Sequence, residues 1–196
     1  MSATLIYFHG FISSPQSHKA VITGEYLQEH HPSIHYRVPA LGDTPDVAAQ
    51  TAEAVVKECL ERADGPVALI GSSMGGFLAT VLAQRYGLRA VAINPVVHPQ
   101  RLVTRLIGDH SNPYTGSEFS IGQTHVLALH DLAITELRSP DDYWALLQEG
   151  DETLDYRDAL AFYRGARVTC EPGGDHSFQG FERYLPEVVE FLGLLG

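Results

Sequence analysis

The chain has 196 residues, 44% of them hydrophobic, and a formal net charge of −11. That length and apolar fraction suffice for a single domain over residues 1–196 that buries a sheet between two helical layers. The acidic balance, with 13 Lys and Arg and no long basic run, argues against nucleic acid and anionic membrane surfaces, and no stretch approaches the ~18 apolar residues of a membrane span.

Thr4-Leu5-Ile6-Tyr7-Phe8 is a short apolar run that predicts a first strand, ending in His9-Gly10-Phe11. Gly10 permits an unusual bend, which would leave the N–H of Phe11 free to donate, and His9 reads as a hydrogen-bonding support for the loop. Residues 1–9 lack a basic n-region, so no signal peptide is predicted and a cytoplasmic protein is expected. Ser14 and Pro15 have the form of an N-cap and a first helical residue. Pro32 breaks the helical register among His30, His31 and His35, so these read as a solvated loop rather than a metal site. A second strand is predicted over 33–38, and Thr44-Pro45-Asp46 starts a helix that runs to Gly65.

The next segment carries the strongest chemical signal. Val67 to Gly71 is a buried-strand run, Ser73 is flanked by Gly71 and Gly75, and Phe77 to Tyr86 has helix-forming composition. Strand, Gly-x-Ser-x-Gly and helix together form the pattern of a nucleophile elbow, in which a serine is held on a strained turn and its hydroxyl is exposed at the sheet edge. The N–H of Met74, at the helix start, would then point to where negative charge develops on an attacked carbonyl. Ser72 is not centred between the glycines and reads as a spacer. A phosphate-binding turn is disfavoured because no G-x-x-x-x-G-K-[ST] follows.

A fourth strand is predicted over 89–94. Residues 98–141 are long for a plain crossover and contain Tyr114, Phe119 and a short helix near 124–132, which suggests a cap insertion over the pocket. Tyr143 to Gln148 reads as the fifth strand, running into Glu149-Gly150-Asp151. A serine nucleophile needs a base and an orienting acid, which in such folds follow in the order serine, acid, histidine. Asp151 lies where the acid belongs; Asp155, where the next helix begins, reads better as a cap. After a sixth strand over 166–170 comes His176, the only histidine beyond residue 130, between Gly173-Gly174 and a final helix over 180–192. Asp175 neighbours it but would point away. Cys59 and Cys170 read as ordinary thiols rather than a disulfide framework.

HGFISSPQSHKA, GSSMGG, Asn94-Pro95, NPYTG, GDETLDYR and GGDHSFQGFERY together resemble the small bacterial esterases of the YqiA/YcfP-like family within the α/β-hydrolase superfamily. The matches span residues 7–184. By position, the resemblance puts the family's nucleophile on Ser73, its acid on Asp151 and its histidine on His176. It departs from the family at Met74, where leucine is common, and at Thr153 inside the acid motif. The expected fold is a compact α/β-hydrolase with about six mostly parallel strands and helices on both faces. The expected activity is hydrolysis of a small-molecule carboxylic ester or acyl-CoA thioester, with Phe11 and Met74 as oxyanion donors and no cofactor or metal. The same residues would also serve an acyltransferase or a carbon–carbon bond hydrolase, and a non-catalytic binding module is the contrasting class.

Overall fold

A computed structural model describes residues 2–195. Among the described residues the strands are β1 (Thr4–Phe8), β2 (His35–Arg37), β3 (Val67–Ser72), β4 (Arg89–Ile93), β5 (Gly108–Ser111), β6 (Glu118–Ile121), β7 (Tyr143–Gln148) and β8 (Arg167–Glu171). Six of them form one parallel sheet in the order β2-β1-β3-β4-β7-β8, while β5 and β6 pair as a separate antiparallel hairpin. The α-helices are α1 (His18–His30), α2 (Pro45–Arg62), α3 (Met74–Tyr86), α4 (Pro99–Arg105), α5 (Gln123–Leu132), α6 (Tyr156–Phe162) and α7 (Leu185–Phe191).

Every residue of β1, β3 and β7 is buried, as a parallel strand covered on both faces requires. The period of two divides each strand between two cores. Ile6, Phe8, Leu69 and Ala92 pack with α2 and α3, whereas Leu5, Tyr7, Ile70, Val91 and Trp144 pack with α1 and α7. On α2 the buried stripe is Ala48, Ala49, Ala52, Val56 and Cys59. α3 is buried continuously from Met74 to Ala83, and a buried hydrogen bond of 2.6 Å joins its Thr80 hydroxyl to that of Tyr163, just beyond α6.

The differences from the sequence reading have local causes. The second strand covers three residues rather than 33–38, and it lies at the sheet edge, where only one neighbour fixes its backbone. α1 begins at His18 instead of Pro15, because the Ser14 carbonyl accepts from the Ser17 N–H and the Ser14 hydroxyl from the Gln16 N–H, closing a turn ahead of the helix. The C-terminal segment is a 3₁₀ turn over Phe181–Tyr184 followed by α7; Pro186 has no N–H to continue the hydrogen-bond ladder from that turn. Residues 98–141 hold α4, α5 and an unforeseen hairpin. No described helix is long and apolar enough to cross a membrane.

This topology dictates where a site can form. From β1 the chain crosses to β2 on one side and then returns past β1 to β3 on the other, so the connections leaving the carboxyl ends of β1 and β3 diverge and open a crevice. Phe11 follows β1 and Ser73 follows β3.

Candidate active site

Ser73 occupies a single-residue link between β3 and α3, with φ 58° and ψ −121°. The glycines around it are required by contact. A Cβ on Gly71 would strike the Gly75 carbonyl, one on Gly75 would strike the carbonyls of Phe8 and His9, and one on Gly76 would lie 2.9 Å from the Pro95 Cβ. The turn is also pinned from the end of β4 and the segment after it, because the Ser73 N–H donates to the Ile93 carbonyl and the Ser73 carbonyl accepts from the Val96 N–H.

The structure brings Ser73, His176 and Asp151 into one chain of contacts. The Ser73 Oγ lies 3.0 Å from the His176 Nε2. On the other side of the ring, Nδ1 is 2.9 and 2.8 Å from the two Asp151 oxygens. Asp151 Oδ1 also accepts from the N–H groups of Thr153 (2.9 Å) and Leu154 (2.8 Å). Its side chain is 2% exposed and that of His176 23%. An acceptor-only carboxylate on Nδ1 directs that nitrogen to carry the proton, leaving Nε2 as the acceptor for the Ser73 hydroxyl. Asp155 accepts from the Arg157 N–H and caps α6. Asp175 accepts from the Ser177 N–H within its own turn.

Phe11 follows β1, and Met74 opens α3 directly after Ser73. Gly10 is so close to Ser73 that a Cβ there would lie 3.5 Å from the Ser73 Cβ. Among the described residues, neither the Phe11 nor the Met74 N–H has a protein acceptor. His9, 3% exposed, faces the Gly10 carbonyl with Nδ1 at 2.9 Å, while its Nε2 accepts from the Leu41 N–H at 3.4 Å. Burial holds its pKa below the usual histidine value, against the opposing pull of backbone hydrogen bonds. A neutral ring with the proton on Nδ1 therefore donates to the Gly10 carbonyl. Because C=O and N–H of a trans peptide point in opposite directions, that bond turns the Phe11 N–H the other way.

Two functional supports escaped the sequence reading. Asn94, buried at φ 39°, donates through Nδ2 to the Asp175 (3.0 Å) and His176 (3.2 Å) carbonyls and accepts from the Gln148 N–H. Gln148, also buried, accepts from Asp175 and Gln179 N–H groups and donates to the Gln179 carbonyl. Together they hold both sides of the histidine loop. Their positions at the carboxyl ends of β4 and β7 were the available signal.

Residues 98–141 reach this site through the β5–β6 hairpin. The Phe11 ring meets His110 and Phe119 edge-on, with centroids 6.3 and 5.9 Å away, and Tyr114 at the hairpin tip lines the cleft over Ser73. Asp43 ties the hairpin down by accepting from Asn112 Nδ2 (2.7 Å) and the Ser117 hydroxyl (2.6 Å).

A parallel sheet covered on both faces, with a strained serine turn after its third strand and a histidine loop after its last, defines the α/β-hydrolase fold. The chain shares it with Est1E from Butyrivibrio proteoclasticus, at 15% identity and TM-score 0.71 over 98% of this chain and 87% of that one. It is equally similar to the mouse alpha/beta hydrolase domain-containing protein 10, at 16% identity and TM-score 0.71 over 98% and 90%. The esterase domain of a Rhodothermus marinus protein aligns at 17% identity and TM-score 0.67 over 97% and 85%. Within this fold the chain belongs to the uncharacterised protein family UPF0227, whose family model matches residues 4–193, in keeping with the YqiA-like motifs of the sequence.

Proposed function

We propose that the chain is a serine hydrolase that cleaves small carboxylic esters or thioesters by two-step acyl transfer to water. The observation that carries this reading is the continuous contact from the Ser73 hydroxyl through the His176 ring to the buried Asp151 carboxylate. His176 Nε2 removes the Ser73 proton as Oγ attacks the carbonyl carbon, and Asp151 steadies the imidazolium that forms. The oxyanion is held by the N–H groups of Phe11 and Met74, each worth roughly 3 kcal/mol in the transition state. His176 then gives its proton to the departing alkoxide or thiolate, and the acyl group remains on Oγ. In the second half His176 takes a proton from water, hydroxide adds to the acyl carbon, and Ser73 leaves with that proton while the carboxylic acid is released.

The fold neighbours support the reading: Est1E is described with ferulic acid bound, and the Rhodothermus marinus domain is described as an esterase. The mechanism calls on no metal or organic cofactor, and the acidic surface suits a small-molecule partner in the cytoplasm better than nucleic acid. The cap role of residues 98–141 belongs to the same proposal, with Tyr114 and the hairpin shaping the acyl pocket. The test is initial rates on p-nitrophenyl esters and acyl-CoA thioesters for the native chain and Ser73→Ala. Native turnover that falls at least about a thousandfold in the variant supports the assignment; equal inactivity of both proteins on every substrate rejects it.

A further inference from the structure

The cleft over Ser73, of about 290 Å³, has an unexpected wall. Among the described residues no Leu, Ile, Val or Met lines it; Ser13, Ser17, His18 and Lys19 form its α1 side, facing Ser177 beside the candidate histidine. A site for a long acyl chain would present aliphatic side chains. This one presents a cation and hydroxyls beside the aromatic rings of Tyr7, Phe11 and Tyr114.

One of those groups is incompletely partnered. Lys19, half-buried in the first turn of α1, donates to the Ser177 carbonyl at 2.6 Å, and no described carboxylate lies within 4.0 Å of it. An ammonium has three N–H groups, so this bond uses one. Burial lowers its pKa to about 8, with Asp175 pulling the other way from beyond ion-pair distance. A cation partly withdrawn from water without a counterion is costly, and a nearby anion offsets that cost. The open end of α1 adds N–H groups of the same polarity.

We infer that Lys19 forms a subsite for an anionic group carried by the substrate, so that the preferred esters or thioesters bear a carboxylate or phosphate within reach of the scissile carbonyl. This inference rests on the serine hydrolase reading of the same cleft. It assigns Lys19 a role in recognition beyond holding the histidine loop through Ser177.

The two roles separate in a charge-matched comparison. The kcat/KM of the native chain, Lys19→Met and Lys19→Arg would be measured on p-nitrophenyl butyrate against mono-p-nitrophenyl glutarate, and on butyryl-N-acetylcysteamine against butyryl-coenzyme A. The native chain should favour the anionic member of at least one pair by about tenfold or more, the scale of a charge-assisted contact. Lys19→Met should bring that ratio close to one, and Lys19→Arg should keep most of it. Preference within the first pair alone identifies a carboxylate on the acyl side; preference within the second alone identifies phosphate on the leaving side. Equal rates within both pairs, a preference that survives Lys19→Met, or an equal fall on both members overturns the subsite and leaves the hydrolase reading intact. Absence of native turnover on all four compounds overturns the hydrolase reading and the subsite with it.

Discussion

Among the described residues, the non-glycine positions at positive φ are Ile12, Ser73, Asn94 and Phe178, and all four lie in segments leaving the carboxyl ends of sheet strands, around the proposed site. Each such residue costs about 1–3 kcal/mol, which the surrounding contacts must over-determine. At Ser73 those contacts are explicit: Ile93 at the end of β4 holds its N–H, Val96 beyond β4 holds its carbonyl, and the close backbone approach at Gly71 and Gly75 leaves no room for the turn to relax. Strain stored at the proposed nucleophile predicts a split between two variants that both remove its hydroxyl. Ser73→Gly relieves it and Ser73→Ala does not, so the glycine variant should be the more stable by about 1 kcal/mol. Thermal unfolding would show this as a midpoint roughly 2–4 °C higher than that of the alanine variant. Coincident midpoints would mean the turn is unstrained.

At the scale of elements, the hairpin is tied to the rest of the molecule by few contacts. Asp43 bonds both Asn112 and Ser117, and the Phe11 ring packs against His110 and Phe119. Removing the carboxylate in Asp43→Ala should raise amide exchange across residues 108–121 by about tenfold while β1, β3 and β7 keep their protection, since local opening is set by local contacts. Unchanged exchange in the hairpin would show that the aromatic contacts alone secure it. The same weakness explains why this element was invisible in the sequence. β5 and β6, Gly-Asp-His-Ser and Glu-Phe-Ser-Ile, are largely exposed and carry no sustained alternation of apolar and polar residues. By contrast β1 and β7 were legible end to end, because strands buried on both faces must be apolar throughout. Ser73, Asp151 and His176 were legible as candidates for a different reason: their order and their places at strand ends follow from topology. Asn94 and Gln148 were not, since an amide that clamps a loop 81 or 31 residues away leaves no local pattern. Ser14-Pro15 misled because a hydroxyl before proline closes a turn as readily as it caps a helix.

Across the whole molecule, acid should act on stability through a small number of groups whose protonation differs between folded and unfolded chains. His9 is kept below its usual pKa by burial, so the unfolded chain takes up its proton first and stability declines as pH falls below about 6.5. Glu53, which joins α2 to α3, adds a second decline. Its carboxylate accepts from the Tyr86 hydroxyl at 2.6 Å and Arg85 at 2.8 Å, with Lys57 at 3.2 Å on its own helix. Chiefly through the Tyr86 bond, its pKa is lowered to about 2 from an ordinary value of 4.5. A lowered carboxylate pKa gives stability that is complete above pH 4.5 and disappears as pH falls toward about 2. With the side chain 26% exposed, solvent screening reduces the contribution to about 1–2 kcal/mol. Acidification also removes negative charge from a chain at −11 and so relieves self-repulsion, which makes an absolute pH profile a mixture of opposing effects. The difference between the native chain and Glu53→Gln isolates the bridge. In urea unfolding at pH 7 the variant should be less stable by about 1–2 kcal/mol, and the gap should narrow steadily between pH 4.5 and pH 3 because the native carboxylate is losing what glutamine never had. A gap that stays constant over that interval would show that Glu53 joins the helices by packing rather than by charge.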